Sequence, residues 1–408
     1  MNKYSLDRSK IKVLLLEGIH ENAVLHFHEN GYLNVECHKE ALSVEELKEK
    51  LKDAHIVGIR SRSELTASVL SHAKKLIAIG CFSIGTNQVD ALTAKMMGIP
   101  VFNAPFSNTR SVAELVIAEV IMLMRGVPEK NTLAHNRIWM KSAANSVEVR
   151  GKTLGIIGYG HIGSQVSILA ENMGMKIVYY DIEKKLSLGN ARPCPLNEVL
   201  KNADVVTLHV PSTELTRRMI SHEQIAMMKK GSCLINASRG DVVDYKAVAE
   251  SLRNKHLFGV AADVFPEEPA SANEPFISEL QEFSNTILTP HIGGSTIEAQ
   301  ANIGLEVAEK LVKYSDTGST IGAVNFVEIS LQPNSSKQRF LHIHKNVPGV
   351  LKEVNNFFSS RGINISAEYL QTDPDIGYVI IETESELDQS VTSALRKVPH
   401  TIRTRIIY

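Results

Sequence analysis

Three residues of complementary chemistry follow three successive apolar runs in the second half of the chain. Arg239 stands in Ile235-Asn236-Ala237-Ser238-Arg239-Gly240, Glu268 in Asp263-Val264-Phe265-Pro266-Glu267-Glu268-Pro269, and His291 in Thr289-Pro290-His291-Ile292-Gly293-Gly294. Oxidising an alcohol by hydride transfer needs a base for the hydroxyl proton, and histidine titrates in the right range. A neighbouring carboxylate orients the ring and stabilises the imidazolium that forms. An arginine holds a substrate carboxylate in bidentate fashion and polarises the developing carbonyl. A lone histidine is more often structural, but three such groups at three strand ends are a candidate site.

Those groups are useful only if a hydride acceptor sits beside them, and residues 152–181, KTLGIIGYGHIGSQVSILAENMGMKIVYYD, have the form of a dinucleotide cradle. The run 153–157 suits a buried strand, Gly158-Tyr159-Gly160-His161-Ile162-Gly163 has the G-x-G-x-x-G spacing, 162–173 has helical periodicity, and 176–180 is a second strand. Gly158 permits the tight turn, Gly160 lets a pyrophosphate approach the backbone, and Gly163 lets helix and strand pack closely. The helix N-terminus offers unpaired N–H groups to the phosphates. Asp181, 18 residues past Gly163, can accept from both ribose hydroxyls and repels a 2′-phosphate, which favours NAD over NADP. Lys184 and Lys185 lie close enough to offset part of that charge. A bare glycine-rich turn is the plain alternative, and the strand, helix, strand and acid around it argue against it.

The remaining elements place these motifs. At 408 residues the chain has room for two or three domains. A net charge of −1 gives no reason to expect nucleic acid or an anionic membrane as partner, so any anion site must be local. Cys37, Cys81, Cys194 and Cys233 are scattered without metal-like spacing, which predicts buried thiols, no metal and a reducing cytoplasm. The N-terminal apolar run, 13–16, is too short for a signal peptide or anchor.

Residues 11–104 alternate apolar runs (13–16, 33–37, 56–59, 76–79, 101–103) with helical segments such as 44–51 and 88–97, predicting a parallel sheet covered on both faces. Arg60-Ser61-Arg62 follows one strand directly. Two guanidiniums and a hydroxyl there suit a phosphate or carboxylate, and a solvated turn is the open alternative. Gly80 to Asn87 follows the next strand, and its glycines allow close approach of a ligand. A crossover helix over 111–125 is predicted to begin at Ser111 with a capping box to Glu114. Residues 126–150 read as polar and irregular; Trp139 there is either an interface anchor or the lid of a local core. Strands at 205–209, 233–236, 258–262 and 286–288 bring the nucleotide sheet to six, and a helix over 297–314 is expected to return to the first domain. Residues 331–337 read as a linker. The tail, 339–408, has the order strand, helix, strand, strand, helix, strand of a ferredoxin-like βαββαβ domain.

Taken together, RSR (60–62), FNAPFSNTRSVAEL (102–115), GIIGYGHIG (155–163), INASRG (235–240), DVFPEEP (263–269), TPHIGGST (289–296) and the tail resemble the D-isomer-specific 2-hydroxyacid dehydrogenase family, in its bacterial branch with a C-terminal ACT domain. The resemblance covers essentially the whole chain. It implies an α/β architecture: a Rossmann-type NAD-binding domain (108–296) inserted in a flavodoxin-like substrate domain (1–107 and 297–330), a linker (331–338) and an ACT domain (339–408). It implies oxidation of 3-phosphoglycerate to 3-phosphohydroxypyruvate, the committed step of serine synthesis, with His291 moving the proton, Glu268 its partner and Arg239 the substrate clamp. Cofactor contacts would fall on Gly158, Gly160, His161, Ile162, Gly163, Asp181, Ala237, Ser238, Arg239, Asp263, His291, Ile292, Gly293 and Gly294, and substrate contacts on Arg60, Ser61, Arg62 and Asn108. The ACT tail would bind L-serine as feedback inhibitor through His344, Asn346 and Asn364, and members of the family are homotetramers. The segment after Pro211 is one residue short of the family pattern and Arg192-Pro193-Cys194-Pro195 is local; neither touches the chemistry. Two other functions stay open on the residues: a dehydrogenase for another acid such as 2-hydroxyglutarate, and an NADH-sensing interaction protein, which the effector-binding tail argues against.

Overall fold

The computed structural model describes residues 7–269, 274–333, 338–384 and 389–407. Its contacts divide the chain into two compact units, Met1–Ser107 with Gln300–Tyr408, and Asn108–Ala299.

The first unit opens with five parallel strands, β1 (Val13–Leu15), β2 (Val35–Cys37), β3 (Ile56–Ile59), β4 (Ala78–Cys81) and β5 (Val101–Asn103), in the order β2-β1-β3-β4-β5. This is the flavodoxin-like doubly wound order. Helices α1 (Glu21–Glu29), α2 (Val44–Leu51), α3 (Ala67–Leu70) and α4 (Ala91–Met96) alternate with the strands. Strands covered on both faces must be apolar on both, as in β1, where Leu14 packs with Val57 and Leu47 and its neighbours Val13 and Leu15 pack with Phe27 and Phe102. β4 lies two residues later than the periodicity predicts, because Leu76 still donates to the carbonyl of Ala73 in the preceding turn.

The second unit contains α5 (Thr109–Met124), α6 (Val127–His135), β6 (Thr153–Ile157), α7 (His161–Asn172), β7 (Lys176–Tyr180), β8 (Arg192–Pro193), α8 (Leu196–Asn202), β9 (Val205–Leu208), α9 (His222–Met227), β10 (Ser232–Asn236), α10 (Tyr245–Arg253), β11 (Leu257–Ala262) and β12 (Thr286–Leu288). Its parallel sheet runs β12-β11-β10-β9-β6-β7-β8, a seventh, two-residue strand having joined the edge at β7. Four expectations are corrected here, the first being that all four thiols are buried: Cys81 and Cys233 are, but Cys37 is exposed and Cys194 half-buried. Helix α5 starts at Thr109 with Asn108 at its N-cap, so Ser111 lies inside it; Ser111 Oγ bonds Thr296 Oγ1 at 2.8 Å, Glu114 takes Arg110 at 2.6 Å, and the expected capping box does not form. Residues 126–150 are not wholly irregular, because Gly126 at φ +59° and Pro128 in the first turn launch α6. Trp139 closes no local core, being 87% exposed in the single chain.

Glu119, on the face of α5 turned to the sheet, is fully buried, and neither carboxyl oxygen has a hydrogen-bond partner among the described residues. Burial, reinforced by the charge of Asp263, pushes its carboxyl up to about 8. An acid raised on folding holds a proton that the unfolded chain has released, so its contribution to stability is complete below about 4.5 and is lost as pH rises towards 8. Glu119→Gln keeps the shape without that cost. In calorimetry it should be the more stable protein at pH 8, by on the order of 4 kcal/mol, since each tenfold change in proton affinity corresponds to about 1.4 kcal/mol. The gap in melting temperature should close near pH 5.

Past β12, α11 (Ile297–Thr317) carries Ile303, Val307 and Leu311 onto the face of the first sheet that holds Val13 and Phe102. The C-terminal segment forms β13 (Gln338–Lys345), α12 (Val350–Ser359), β14 (Ile365–Thr372), β15 (Ile376–Thr383), α13 (Gln389–Leu395) and β16 (Thr401–Ile407), an antiparallel sheet of order β14-β15-β13-β16. Phe340, Val379 and Ile381 meet Val354 and Phe358 of α12 on one face. Leu341, Ile343 and Tyr378 on the other are covered by Phe326, Ile329 and Leu331. Asn334, Ser335, Ser336 and Lys337 of the expected linker lie outside the described residues. Among the described residues no helix is long and apolar enough to cross a membrane.

Candidate active site

Arg239, Glu268 and His291 follow β10, β11 and β12, three adjacent strands, so parallel pairing delivers them to one edge of the sheet. His291 Nδ1 lies 2.8 Å from Glu268 Oε2, and Glu268 Oε1 accepts from the backbone N–H of Phe265 at 3.0 Å. The hydrogen bond to Glu268 raises the imidazole above the usual histidine value, against the opposing effect of burial. Burial would push the Glu268 carboxyl up; hydrogen bonds from His291 and Phe265, with the charges of His291 and Arg239, outweigh it and hold the group below its ordinary range.

The backbone around His291 is held by one carboxylate. His291 has φ +54°, a left-handed conformation uncommon for a non-glycine residue, and its surroundings hold it there. Asp263 does so from the end of β11: its Oδ1 accepts from Thr289 Oγ1 at 2.6 Å and from Ile292 N at 2.8 Å, and its Oδ2 from Gly293 N at 2.7 Å. A Cβ on Gly293 would stand 2.8 Å from that same Oδ2, and one on Gly294 would stand 2.3 Å from Asn108 Nδ2. Asn108 is therefore packed against the histidine loop, with its buried Oδ1 lacking a partner among the described residues.

A second network, missed in the sequence, ties the arginine loop to the glutamate loop. Asn236 Nδ2 donates to the carbonyl of Arg239 at 3.0 Å and pairs with Tyr245 OH at 3.0 Å, while Tyr245 OH donates to the carbonyl of Val264 at 2.8 Å. Asn236 Oδ1 accepts from Ser238 N and Oγ. Gly240 lies so close to the Phe265–Pro266 peptide that a Cβ would sit 2.0 Å from the Phe265 carbonyl carbon.

At β6 the glycine loop has the geometry its spacing implies. Gly158 has φ +91° and a Cβ there would be 2.3 Å from the carbonyl oxygen of His209; a Cβ on Gly163 would be 2.1 Å from that of Gly158. Gly160, the N-cap of α7, faces open space. The first-turn N–H groups from His161 and Ile162 onward thus border room for a pyrophosphate. Asp181 Oδ2 accepts from Tyr159 N at 2.8 Å and Oδ1 from Glu183 N at 2.9 Å, so the carboxylate is fixed beside the glycine loop with a lone pair on each oxygen to spare. Lys185 pairs with Glu183 and also feels the charge of Asp181, both of which raise its affinity for a proton, so it offsets part of the Asp181 charge. These residues fit a dinucleotide bearing a free 2′-hydroxyl.

In the first unit, Arg60-Ser61-Arg62 follows β3 and is organised by Glu17, an acid that the sequence shows only as the end of an apolar run. Glu17, buried and at φ +64°, accepts from the N–H groups of Arg60 at 3.1 Å, Arg62 at 2.9 Å and Ser63 at 2.9 Å. The loop is a preformed bracket whose two guanidiniums ride on a fixed backbone. In the C-terminal domain, Asn346 lies in the β13–α12 connection and Asn364 just before β14, both exposed. His344 is buried, its ring filling the space above Gly377, and burial lowers its affinity for a proton.

Comparison with known proteins places the chain in a family. The family described as "D-isomer specific 2-hydroxyacid dehydrogenase, NAD binding domain" matches residues 117–293, and the "AHAS small subunit-like ACT domain" matches 340–403. The D-3-phosphoglycerate dehydrogenases of Haemophilus influenzae and Escherichia coli K12 are each 56% identical, over 408 and 411 residues, covering 100% of both chains. Among solved structures, D-lactate dehydrogenase from Aquifex aeolicus, complexed with NAD and lactic acid, aligns with a TM-score of 0.67 at 27% identity over 78% of this chain and 100% of its own. The chain belongs to the D-isomer-specific 2-hydroxyacid dehydrogenases. It is an NAD-dependent oxidoreductase with a C-terminal ACT domain.

Proposed function

We propose that the chain oxidises 3-phospho-D-glycerate to 3-phosphohydroxypyruvate with NAD, the committed step of L-serine synthesis, and that L-serine inhibits it through the ACT domain. The observation that carries the chemistry is the 2.8 Å pair of His291 and Glu268, on a loop that Asp263 holds at positive φ. When bound, NAD supplies the acceptor for the hydride of the carbinol carbon. Glu268 fixes the proton on Nδ1, which leaves Nε2 as the basic nitrogen that takes the hydroxyl proton. Arg239 would clamp the substrate carboxylate and draw charge onto the forming carbonyl. Arg60, Ser61, Arg62 and Asn108 would receive the substrate's anionic end, the two arginines favouring a doubly charged acid. His344, Asn346 and Asn364 would take the effector. The exposed Trp139 suits burial in a subunit interface of a homotetramer, and the free thiols fit a cytoplasmic enzyme.

Incubating the purified protein with NAD and 3-phosphoglycerate, while phosphohydroxypyruvate is trapped, should generate NADH, and L-serine should suppress the rate. No turnover would remove this reading, and turnover with 2-hydroxyglutarate alone would favour the other acid.

The pH profile follows from the pair. Alcohol oxidation needs neutral His291, so kcat/KM should rise through a pKa above the ordinary 6.5, because the Glu268 bond raises it. Glu268→Gln removes the charge and should move that acid limb to lower pH while cutting kcat by roughly 10²-fold. A limb at the parent's position in the variant would show that His291 is not the titrating base.

A further inference from the structure

The first unit contains both the flavodoxin-like sheet and the C-terminal domain, and one contact between them has the form of a catch. Lys95, near the end of α4, places Nζ 2.7 Å from Asp373 Oδ2 and 2.7 Å from Asp375 Oδ2. The two acids flank Pro374 in the turn between β14 and β15. Most surface ion pairs contribute little, because both partners are mobile and hydrated. The Lys95–Asp373 pair departs from that: the Lys95 side chain is only 14% exposed and Asp373 24%, while Asp375 stays 47% exposed. The turn is braced: Asp373 Oδ1 accepts from the N–H groups of Asp375 and Ile376, each at 2.9 Å.

Each side of this contact reaches a place where regulation is expected to begin or end. On the C-terminal side, Asn346 Nδ2 donates to the carbonyl of Asp373 at 2.6 Å, and Asn346 N to the carbonyl of Asp375 at 3.0 Å. The β13–α12 loop and the acidic turn are therefore one bonded assembly. On the other side, Asn325 Nδ2 binds the carbonyls of Ala91 and Ile99, at the two ends of α4, while its Oδ1 accepts from Val101 N of β5. Gly98, at φ +69°, lets Ile343, Ile402 and Arg403 close against the end of α4, and Arg403 donates to the carbonyl of Leu76 ahead of β4. From β5, Asn103 Nδ2 donates to the carbonyl of Ile84 at 2.6 Å, in the glycine-containing loop after β4.

We propose that Lys95 and the Asp373–Asp375 turn form an ionic latch that fixes the ACT domain to α4, and that an effector acting on the Asn346 loop is felt by the substrate-binding sheet through it. The latch rests on the geometry alone; its use in regulation rests on the reading that the C-terminal domain binds L-serine. An amino acid brings a carboxylate and an ammonium to Asn346, and either rearranges the hydrogen bonds that hold the Asp373 and Asp375 carbonyls. Because both carboxylates share one ammonium, a small shift of the turn takes both ion pairs away from α4 at once.

Lys95→Met keeps the aliphatic stem and removes the charge, and neither Lys95 nor the acidic turn belongs to the catalytic machinery. In the full-length variant, amide hydrogen exchange across 91–98 and 373–376 should quicken at least tenfold. kcat/KM should stay within about twofold of the parent. L-serine, followed by equilibrium dialysis, should bind as in the parent, yet half-inhibition should need at least tenfold more of it. Asp373→Asn with Asp375→Asn should reproduce these changes and add nothing when combined with Lys95→Met. Unchanged exchange in Lys95→Met would overturn the latch, and parental inhibition despite faster exchange would overturn its regulatory use. If L-serine neither binds nor inhibits the parent, the effector reading and the regulatory use fail together, while exchange still decides the latch.

Discussion

His291→Ala should lower kcat by about 10³-fold, within the range spanned by general acid–base groups, while NADH binds within a few-fold of the parent. The expectation comes from how the side chain and its loop are divided. The loop is held by Asp263, which binds Thr289, Ile292 and Gly293 but not the imidazole. The imidazole is held by Glu268. Removing the ring takes away the proton acceptor and leaves the bracket in place. Fluorescence titration with NADH beside steady-state kinetics separates the two, and a variant that loses NADH along with turnover would place His291 in the cofactor site's framework. Asp263→Asn, by contrast, attacks the bracket and should damage both measurements.

The other large effect belongs to the glycine loop. Gly158→Ala puts a methyl 2.3 Å from the His209 carbonyl oxygen and 2.7 Å from its carbon, both backbone atoms at the end of β9, and imposes φ +91° on an L-residue. Left-handed backbone costs on the order of 1–2 kcal/mol by itself, and overpacking adds about 1–3 kcal/mol. The loop must shift, and the N–H groups of α7 and the Tyr159 bond to Asp181 shift with it. NADH affinity should fall at least 100-fold by isothermal titration, with melting several degrees lower. Gly160→Ala meets no protein atom and should leave the melting temperature unchanged while still weakening NADH. Equal affinity in Gly160→Ala and the parent would mean that the nucleotide does not approach that backbone.

The elements with strong local signals were legible. The G-x-G-x-x-G loop is flanked by its strand and helix, and the tail alternates in an order that only a split β-α-β pattern satisfies. His291 and Glu268 could be paired in advance because adjacent parallel strands end on the same edge. What stayed hidden depends on which distant groups meet. Glu17 reads as a strand terminator, and nothing local says that its carboxylate gathers three N–H groups from beyond β3. Asn236 and Tyr245 support the Arg239 loop through bonds that exist only once β10, α10 and β11 have packed. Ser111 misled because Ser107, Asn108, Thr109 and Ser111 all suit a helix start, and tertiary context chose Asn108. Helix α6 has no continuous apolar stripe to announce it; its start is written in Gly126 and Pro128.

The Glu17 bracket separates two jobs that many enzymes fuse. The residues that would grip the far end of the acid ride on a scaffold built from β1 and β3, whereas those proposed to handle proton and hydride ride on β10 to β12. On the proposed reading, descendants of such a chain would exchange one acid for another by rewriting residues 60–62 while Glu17 keeps the backbone in shape. Their redox chemistry need not be relearned.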